Sequence, residues 1–347
     1  IVKNQMPSYE VDNETSFAEL WMGTHPSGPS MVVNNQNNTI TLLNCLSTYP
    51  EYVVLSVGKA LSIQAHPNKA LAEKLHHDDP FHYPDSNHKP ELAIALTEFK
   101  ALCGFRPHSE IEFFLNHVQE FLNIVGEKAA QEYLSSTDKK EGLKKLFTAL
   151  MTASEETIKE NYNSLKALWS NGQAVDPQLE TLKQLFNTLS VEFPNDIGCF
   201  SIFFLNYLVL KPGEAIYLGQ DEPHAYIFGD CIECMACSDN VVRAGLTPKF
   251  KDVNTLCSML TYGSRSPREQ YLNPVQVDQY TRSYVVPVPE FVVDSIEIEA
   301  DKIDPSFEYK LEAKESGSIL IIIHGDASVQ NDKIFFTRIS IVFIIIL

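Results

Sequence analysis

Ser62, Gln64 and His66 alternate with Leu61, Ile63 and Ala65. A period of two sets the three polar side chains on one face of a strand and the apolar ones on the other. A Gln oxygen and an imidazole two residues apart can meet one cation. Glu91, in Asn87-His88-Lys89-Pro90-Glu91, would add a third ligand if it returned on a neighbouring strand. Catalytic zinc sites use this economy, taking a few protein ligands and leaving one position open. The competing reading is a half-buried edge strand, ended by Pro67, whose Gln and His face water. His224, in Asp221-Glu222-Pro223-His224-Ala225-Tyr226, follows a proline at the mouth of a hairpin. It is placed either as a further ligand or as a surface histidine.

Two more clusters invite chemistry. Cys231, Cys234 and Cys237 give two overlapping Cys-x-x-Cys spacings, but no second Cys or His pair follows to complete a structural site. The segment alternates, with Cys231, Glu233 and Met235 on one face and Ile232, Cys234 and Ala236 on the other. It therefore reads as a strand with small, buried, inert thiols. Arg243 and Lys249 flank a glycine-containing turn, Arg243-Ala244-Gly245-Leu246-Thr247-Pro248-Lys249. Such a pair can hold a phosphate, Arg bidentately and Lys as a point charge, or it can be a solvated basic turn.

The elements that must carry these residues come in the order strands, helices, strands. Gly23 and Pro26 mark a turn after a short apolar run, and Ser27 to Pro50 reads as loop. Tyr52–Val57 is a β-branched strand, Leu71–His76 a short helix and Glu91–Leu96 a strand. Beyond Pro107, Ser109 and Glu112 predict a capping box ahead of one helix with the stripe Ile111, Phe114, Leu115, Val118, Leu122 and Val125. A second helix carries Leu143, Leu146, Phe147 and Leu150. A third opens near Ser154 and stops at Gly172. A fourth opens at Asp176-Pro177. Strands resume at Ala215–Leu218 and return at Phe291–Val293, Phe307–Leu311 and Ser318–His324. The reading is a mainly β protein, a β-barrel or sandwich with an inserted helical domain and further strands after it. The expected divisions are 1–106 and 206–270 for the catalytic barrel, 107–205 for the helical insert and 271–347 for the second β-domain.

A chain of 347 residues with 27 Lys+Arg against 45 Asp+Glu has a net charge of -18. That argues against nonspecific nucleic-acid binding, though a pocket can still be locally basic. Seven cysteines at low density argue against a secreted disulfide framework. The polar start, 1–14, reads as no secretory signal. The apolar end, Ile339 to Leu347, falls far short of the roughly 20 residues of a membrane helix and reads as a buried strand or an aberrant terminus.

Together, Ala18 to Pro26, Ser62 to Lys69, Asn87 to Ala95, Cys103 to Pro107, Asp196 to Phe200, Pro223 to Tyr226 and Glu233 to Phe250 resemble the type I phosphomannose isomerases. The resemblance implies a zinc-dependent enzyme with a cupin-type jelly-roll β-barrel or sandwich, an inserted helical domain and a second β-domain. It would interconvert mannose 6-phosphate and fructose 6-phosphate through an enediol(ate), in the cytoplasm, as a monomer, and so supply mannose for GDP-mannose synthesis and glycosylation. It implies one zinc ion per chain on Gln64, His66, Glu91 and His224. Arg243, Glu233, Lys89 and Asp239 would be catalytic, and Ser62, Lys249 and Glu19 would meet the substrate. The partner is a small sugar phosphate, with no nucleic acid and no membrane. Three departures stand beside this. The chain lacks the family's early aromatic-Trp-Gly segment, Val53 stands where the family carries lysine, and the C-terminal β-domain stops early. They define the alternative expectation, a truncated or degenerate cupin that binds zinc or sugar phosphate without turnover.

Overall fold

The computed structural model describes residues 19–23, 30–33, 39–41, 50–171, 175–299, 309, 318–325, 327–330, 333–336 and 340–346. Alternation of apolar side chains produces the strands that carry the site. They are β1 (Glu19–Gly23), β2 (Met31–Val33), β3 (Thr39–Thr41), β4 (Pro50–Val57), β5 (Ile63–Ala65), β6 (Glu91–Ala95), β7 (Phe99–Phe105), β8 (Leu205–Leu210), β9 (Ala215–Leu218), β10 (His224–Ala236) and β11 (Val242–Gly245). β12 (Tyr271–Leu272) completes a ten-stranded antiparallel sheet that includes all of these except the separate β2–β3 hairpin.

This sheet folds back on itself about β10. The first residues of β10 pair with β5 and β7, and Cys231 to Met235 pair with both β4 and β6. The register shifts between Tyr226 and Phe228, and Gly229 sits at φ 109°. A Cβ on Gly229 would lie 2.3 Å from the Glu98 carbonyl oxygen, so only glycine fits this bend. Between the two halves lies an apolar interior that includes Val53, Leu55, Ala93, Phe99, Leu218, Tyr226, Cys231 and Met235. The outward residues of the same strands, Val54, Leu92, Ile94, Ile232 and Cys234, pack on Tyr284, Phe291, Val293 and Ile321. Cys231 and Cys234 therefore occupy opposite faces, as their alternation predicts. At about 25 cal/mol per Å² of buried apolar area, both faces stabilise the barrel strongly.

That second layer consists of β13 (Val275–Gln276), β14 (Thr281–Val285), β15 (Val292–Ile298), β16 (Ser318–His324) and β19 (Ser340–Ile346), in the order β13-β14-β15-β19-β16. β17 (Ala327–Gln330) and β18 (Lys333–Phe336) form a separate hairpin. The apolar C-terminal run is thus a strand paired on both sides. Apart from Tyr309, the strand expected over 307–311 lies outside the described residues, as do Pro26 and Gly172.

The helices are α1 (Lys69–Asp78), α2 (His108–His117), α3 (Gln119–Val125), α4 (Glu127–Ser135), α5 (Lys139–Met151), α6 (Glu155–Ser170), α7 (Pro177–Glu192) and α8 (Val253–Met259). Ser154 and Asp176 cap α6 and α7 through their side chains, as the sequence predicts. Two expectations about these helices need correction. Ser109 is not a cap: α2 starts at His108 after Pro107, with no side-chain cap. The single helix through Val125 is two, because Val118 is extended at φ -122° and ψ 95°. α4 escaped the pattern because it buries only Ala130 and Tyr133. The stretch 27–50 is also not all loop, since β2 and β3 pair within it. Among the described residues, no helix is long and apolar enough to cross a membrane.

Candidate metal centre

Three of the expected ligands come from three strands at one end of the barrel. His224 opens β10 in register with Gln64 of β5, and Glu91 opens β6 opposite Met235 of β10. His66 directly follows β5 before Pro67. His66 and His224 are 0% and 1% exposed and Glu91 is 2% exposed, which overturns the water-facing alternative. His66 Nε2 lies 3.2 Å from Glu91 Oε1, and His224 Nε2 lies 3.4 Å from Glu91 Oε2. Gln64 Nε2 lies 3.4 Å from His224 Nε2. Ligands at zinc bond lengths of about 2.0–2.1 Å would be separated by about 3.3 Å on tetrahedral edges; the two His–Glu91 contacts are near that length, and one ligand atom from each of His66, Glu91 and His224 lies within 4.8 Å of the others.

The tautomers suit a cation. The Nδ1–H of His66 donates to the Asn240 carbonyl at 2.8 Å, and that of His224 donates to the Glu222 carbonyl at 3.1 Å. A carbonyl only accepts, so both imidazoles present bare Nε2 atoms to the centre. His66 Nε2 and Glu91 Oε2 are buried with no hydrogen-bond partner. Orphaned buried acceptors in one cluster cost free energy unless a cation meets them. Gln64 Oε1 accepts from the Ser62 hydroxyl at 2.8 Å. Turning the amide over keeps that bond, since a hydroxyl can also accept, and presents Oε1 to the centre. Two imidazoles, a carboxylate and an amide oxygen form a nitrogen–oxygen donor set suited to zinc.

The electrostatics agree. Burial drives His66 toward the neutral imidazole, against the pull of Glu91. Burial alone would raise the Glu91 carboxyl, but its polar surroundings, with Lys89 among them, more than offset it and hold it well below the usual carboxylate value. Among the described residues, His66, Glu91 and His224 are the one group of His, Cys, Asp and Glu side chains placed to share an ion.

The other expected site residues fall at graded distances. Lys89 Nζ lies 3.6 Å from Glu91 Oε1. Arg243 lies on β11, in register with Gln64; burial lowers its pKa. Asp196 Oδ1 accepts from Gly198 N and Leu246 N, tying the end of the helical region to the strand that bears Arg243. Glu233 is 9% exposed, opposite Val53 of β4. Asp239 is exposed on the turn after β10, and Lys249 is exposed beyond β11. Glu19 opens β1 opposite Leu55; its side chain lies outside the described residues.

Sequence reasoning missed the Asn240 and Glu222 carbonyls, which carry no side-chain signature. It also missed Tyr226, a buried phenol raised well above its ordinary pKa, by burial first and then by Glu233 and Glu91.

Comparison with known proteins follows the same lines. The family model for the type I phosphomannose isomerase catalytic domain matches residues 1–108, and that for the helical insertion domain of the same family matches residues 120–205. The mannose-6-phosphate isomerase of Homo sapiens is 43% identical over 345 residues, 92% of this chain and 80% of that protein. The Bos taurus mannose-6-phosphate isomerase is 42% identical over 350 residues, 94% of this chain and 82% of that protein. A crystal structure of zinc-bound mannose 6-phosphate isomerase superposes with a TM-score of 0.78 at 29% identity, over 94% of this chain and 86% of that one. A mutant phosphomannose isomerase from Salmonella typhimurium superposes with a TM-score of 0.82 at 28% identity, over 100% and 94% of the two chains. With its barrel, its helical region and its buried histidine–carboxylate cluster, the chain belongs to the type I phosphomannose isomerase family.

Proposed function

We propose that this chain is a zinc-dependent isomerase that interconverts mannose 6-phosphate and fructose 6-phosphate, with one zinc ion held by Gln64, His66, Glu91 and His224. The observation that carries the reading is the pair of orphaned buried acceptors in one cluster, His66 Nε2, 3.2 Å from Glu91 Oε1, and Glu91 Oε2, 3.4 Å from His224 Nε2. Zinc there supplies Lewis-acid polarisation of the sugar oxygens.

The chain's own residues do the rest. Moving the carbonyl between C1 and C2 requires removing a proton beside it and returning that proton one carbon away. Glu233, nearly buried on the interior face, carries that proton. Arg243 offsets the negative charge that develops on the enediolate. Lys89 and Asp239 shape the charge of the pocket, and Ser62 orients the Gln64 amide. Lys249, with Glu19 at the substrate's edge, serves recognition: a phosphate held at a distance lets binding energy position the reacting carbons. The same reading divides the chain into a catalytic barrel (1–106 and 206–270), a helical insert (107–205) and a second β-domain (271–347), acting as a cytoplasmic monomer on a small sugar phosphate.

A coupled assay on the purified chain tests it. Turnover of mannose 6-phosphate should be lost on chelation and recovered on adding zinc. Zinc-loaded protein without turnover would make the chain a binding cupin, and Val53 the first residue to replace with lysine.

A further inference from the structure

Two segments that contribute to the centre are stitched together by a residue with no assigned role. Segment 87–91 carries Lys89 and Glu91, and segment 233–240 carries Glu233, Asp239 and the Asn240 carbonyl. Asp85 joins them. Its Oδ1 accepts from the Asn87 backbone N–H at 2.8 Å, the Ser238 hydroxyl at 2.8 Å and the Asn240 amide at 3.2 Å. Its Oδ2 accepts from the Asp239 N–H at 2.7 Å, and its backbone carbonyl accepts from the Asn240 amide at 2.7 Å. Ser238 and Asn240 are 2% and 0% exposed, so these bonds compete little with water. Asn240 then uses its own carbonyl to receive the Nδ1–H of His66.

We propose that Asp85 is a positioning residue for the metal centre. Its carboxylate fixes the 238–240 turn, and the turn fixes the tautomer and ring orientation of His66. The geometry gives two reasons. The carboxylate is the common acceptor for three consecutive residues of the turn, a concentration that loop closure alone does not require. The chain of bonds then ends on a ligand: carboxylate, Asn240 amide, Asn240 carbonyl, His66 Nδ1–H, His66 Nε2. Partners of this outer kind commonly set metal affinity by about 10- to 100-fold.

The inference rests on the zinc reading above, so its test measures zinc affinity by competition with a chromogenic chelator, with His66→Ala as reference. Asp85→Ala should weaken zinc about 10- to 100-fold while the melting of the zinc-free protein changes little. Asp85→Asn keeps an oxygen for Ser238 and Asn240 but sets an amide against the Asp239 N–H, and should fall between Asp85→Ala and wild type. Asn240→Ala should weaken zinc similarly, and the double variant should lose no more than the larger single loss, as expected for residues in one chain of bonds. Cobalt bound to Asp85→Ala should show a shifted visible absorption, which a purely structural role would not cause. Ser86→Ala, at the exposed neighbour, should bind zinc as wild type does. If Asp85→Ala fails to fold, Asn240→Ala and Ser238→Ala carry the test. Wild-type affinity in Asp85→Ala, or in both of these substitutes, with zinc lost from His66→Ala, overturns the positioning role alone. Zinc retained by His66→Ala overturns the metal reading and this inference with it.

Discussion

Around the metal centre His66, Glu91, His224, Glu233 and Asn240 are all buried, and named hydrogen bonds or ion pairs fix the ligands. Between α2 and α7 the buried groups are nearly all hydrocarbon. Phe121 stacks on Phe203 at 4.9 Å between ring centroids, Phe147 meets Phe204 edge-on at 5.2 Å, and Trp169 meets Phe186 at 5.3 Å. Dispersion and burial are non-directional, so such a core accepts small rearrangements. A ligand set tolerates no such slack, because a half-satisfied buried polar group costs more than an apolar one. One chain thus uses forgiving forces for bulk and exacting ones where an ion must sit.

The contrast is sharpest if ligand loss abolishes function without unfolding. His66→Ala should reduce zinc from one per chain toward none and cut isomerase activity by more than the about 100-fold of an outer-shell change; metal analysis and the coupled assay check both. Next in size, Phe203→Ala should cost about 3–5 kcal/mol in denaturant unfolding, with zinc stoichiometry of the folded fraction unchanged. A large fall in zinc affinity there would mean that the two regions are not separable. Arg243→Ala should lower kcat about 100-fold, for about 3 kcal/mol of lost charge stabilisation, with zinc retained. Lys249→Ala should act mainly by raising KM about tenfold, or about 1.4 kcal/mol. Smallest of all, Cys103 should stay unlabelled by maleimide at pH 8 in the native chain. Burial pushes its thiol up to about 12, so only about one molecule in ten thousand holds the reactive thiolate. Rapid labelling would show the barrel interior to be open.

The strand bearing Gln64 was legible because the alternation of Ile63, Gln64 and Ala65 survives folding as β5, although Leu61, read as apolar-face, is exposed; the apolar stripe of α5 shows the same directness. The break at Val118 was not, because an apolar stripe continues through it while the backbone does not. α4 was hidden by a short stripe of two buried residues. The role of Ser62 was only half visible: a hydroxyl two residues from Gln64 on one face is a neighbour by spacing, but only the folded strand commits it to the amide. Asp85 was quoted in no motif. Its partners on the 238–240 turn lie 153 to 155 residues ahead, and one of its own accepting atoms belongs to the backbone.

The bend at Gly229 has a kinetic consequence. β10 serves both halves of the barrel, and its partners β4, β5, β6 and β7 all precede the helical region, while β10 follows it. During synthesis those early strands must wait, unpaired along the edges β10 will occupy, until the whole helical region has emerged. The helical region can collapse locally in the meantime, since its contacts are short in sequence. The barrel's long-range closure is the slow event, and His224 reaches Glu91 only when it occurs. Metal capture is therefore a terminal step of folding, and the waiting strand edges are where a chain slow to close would first associate with another.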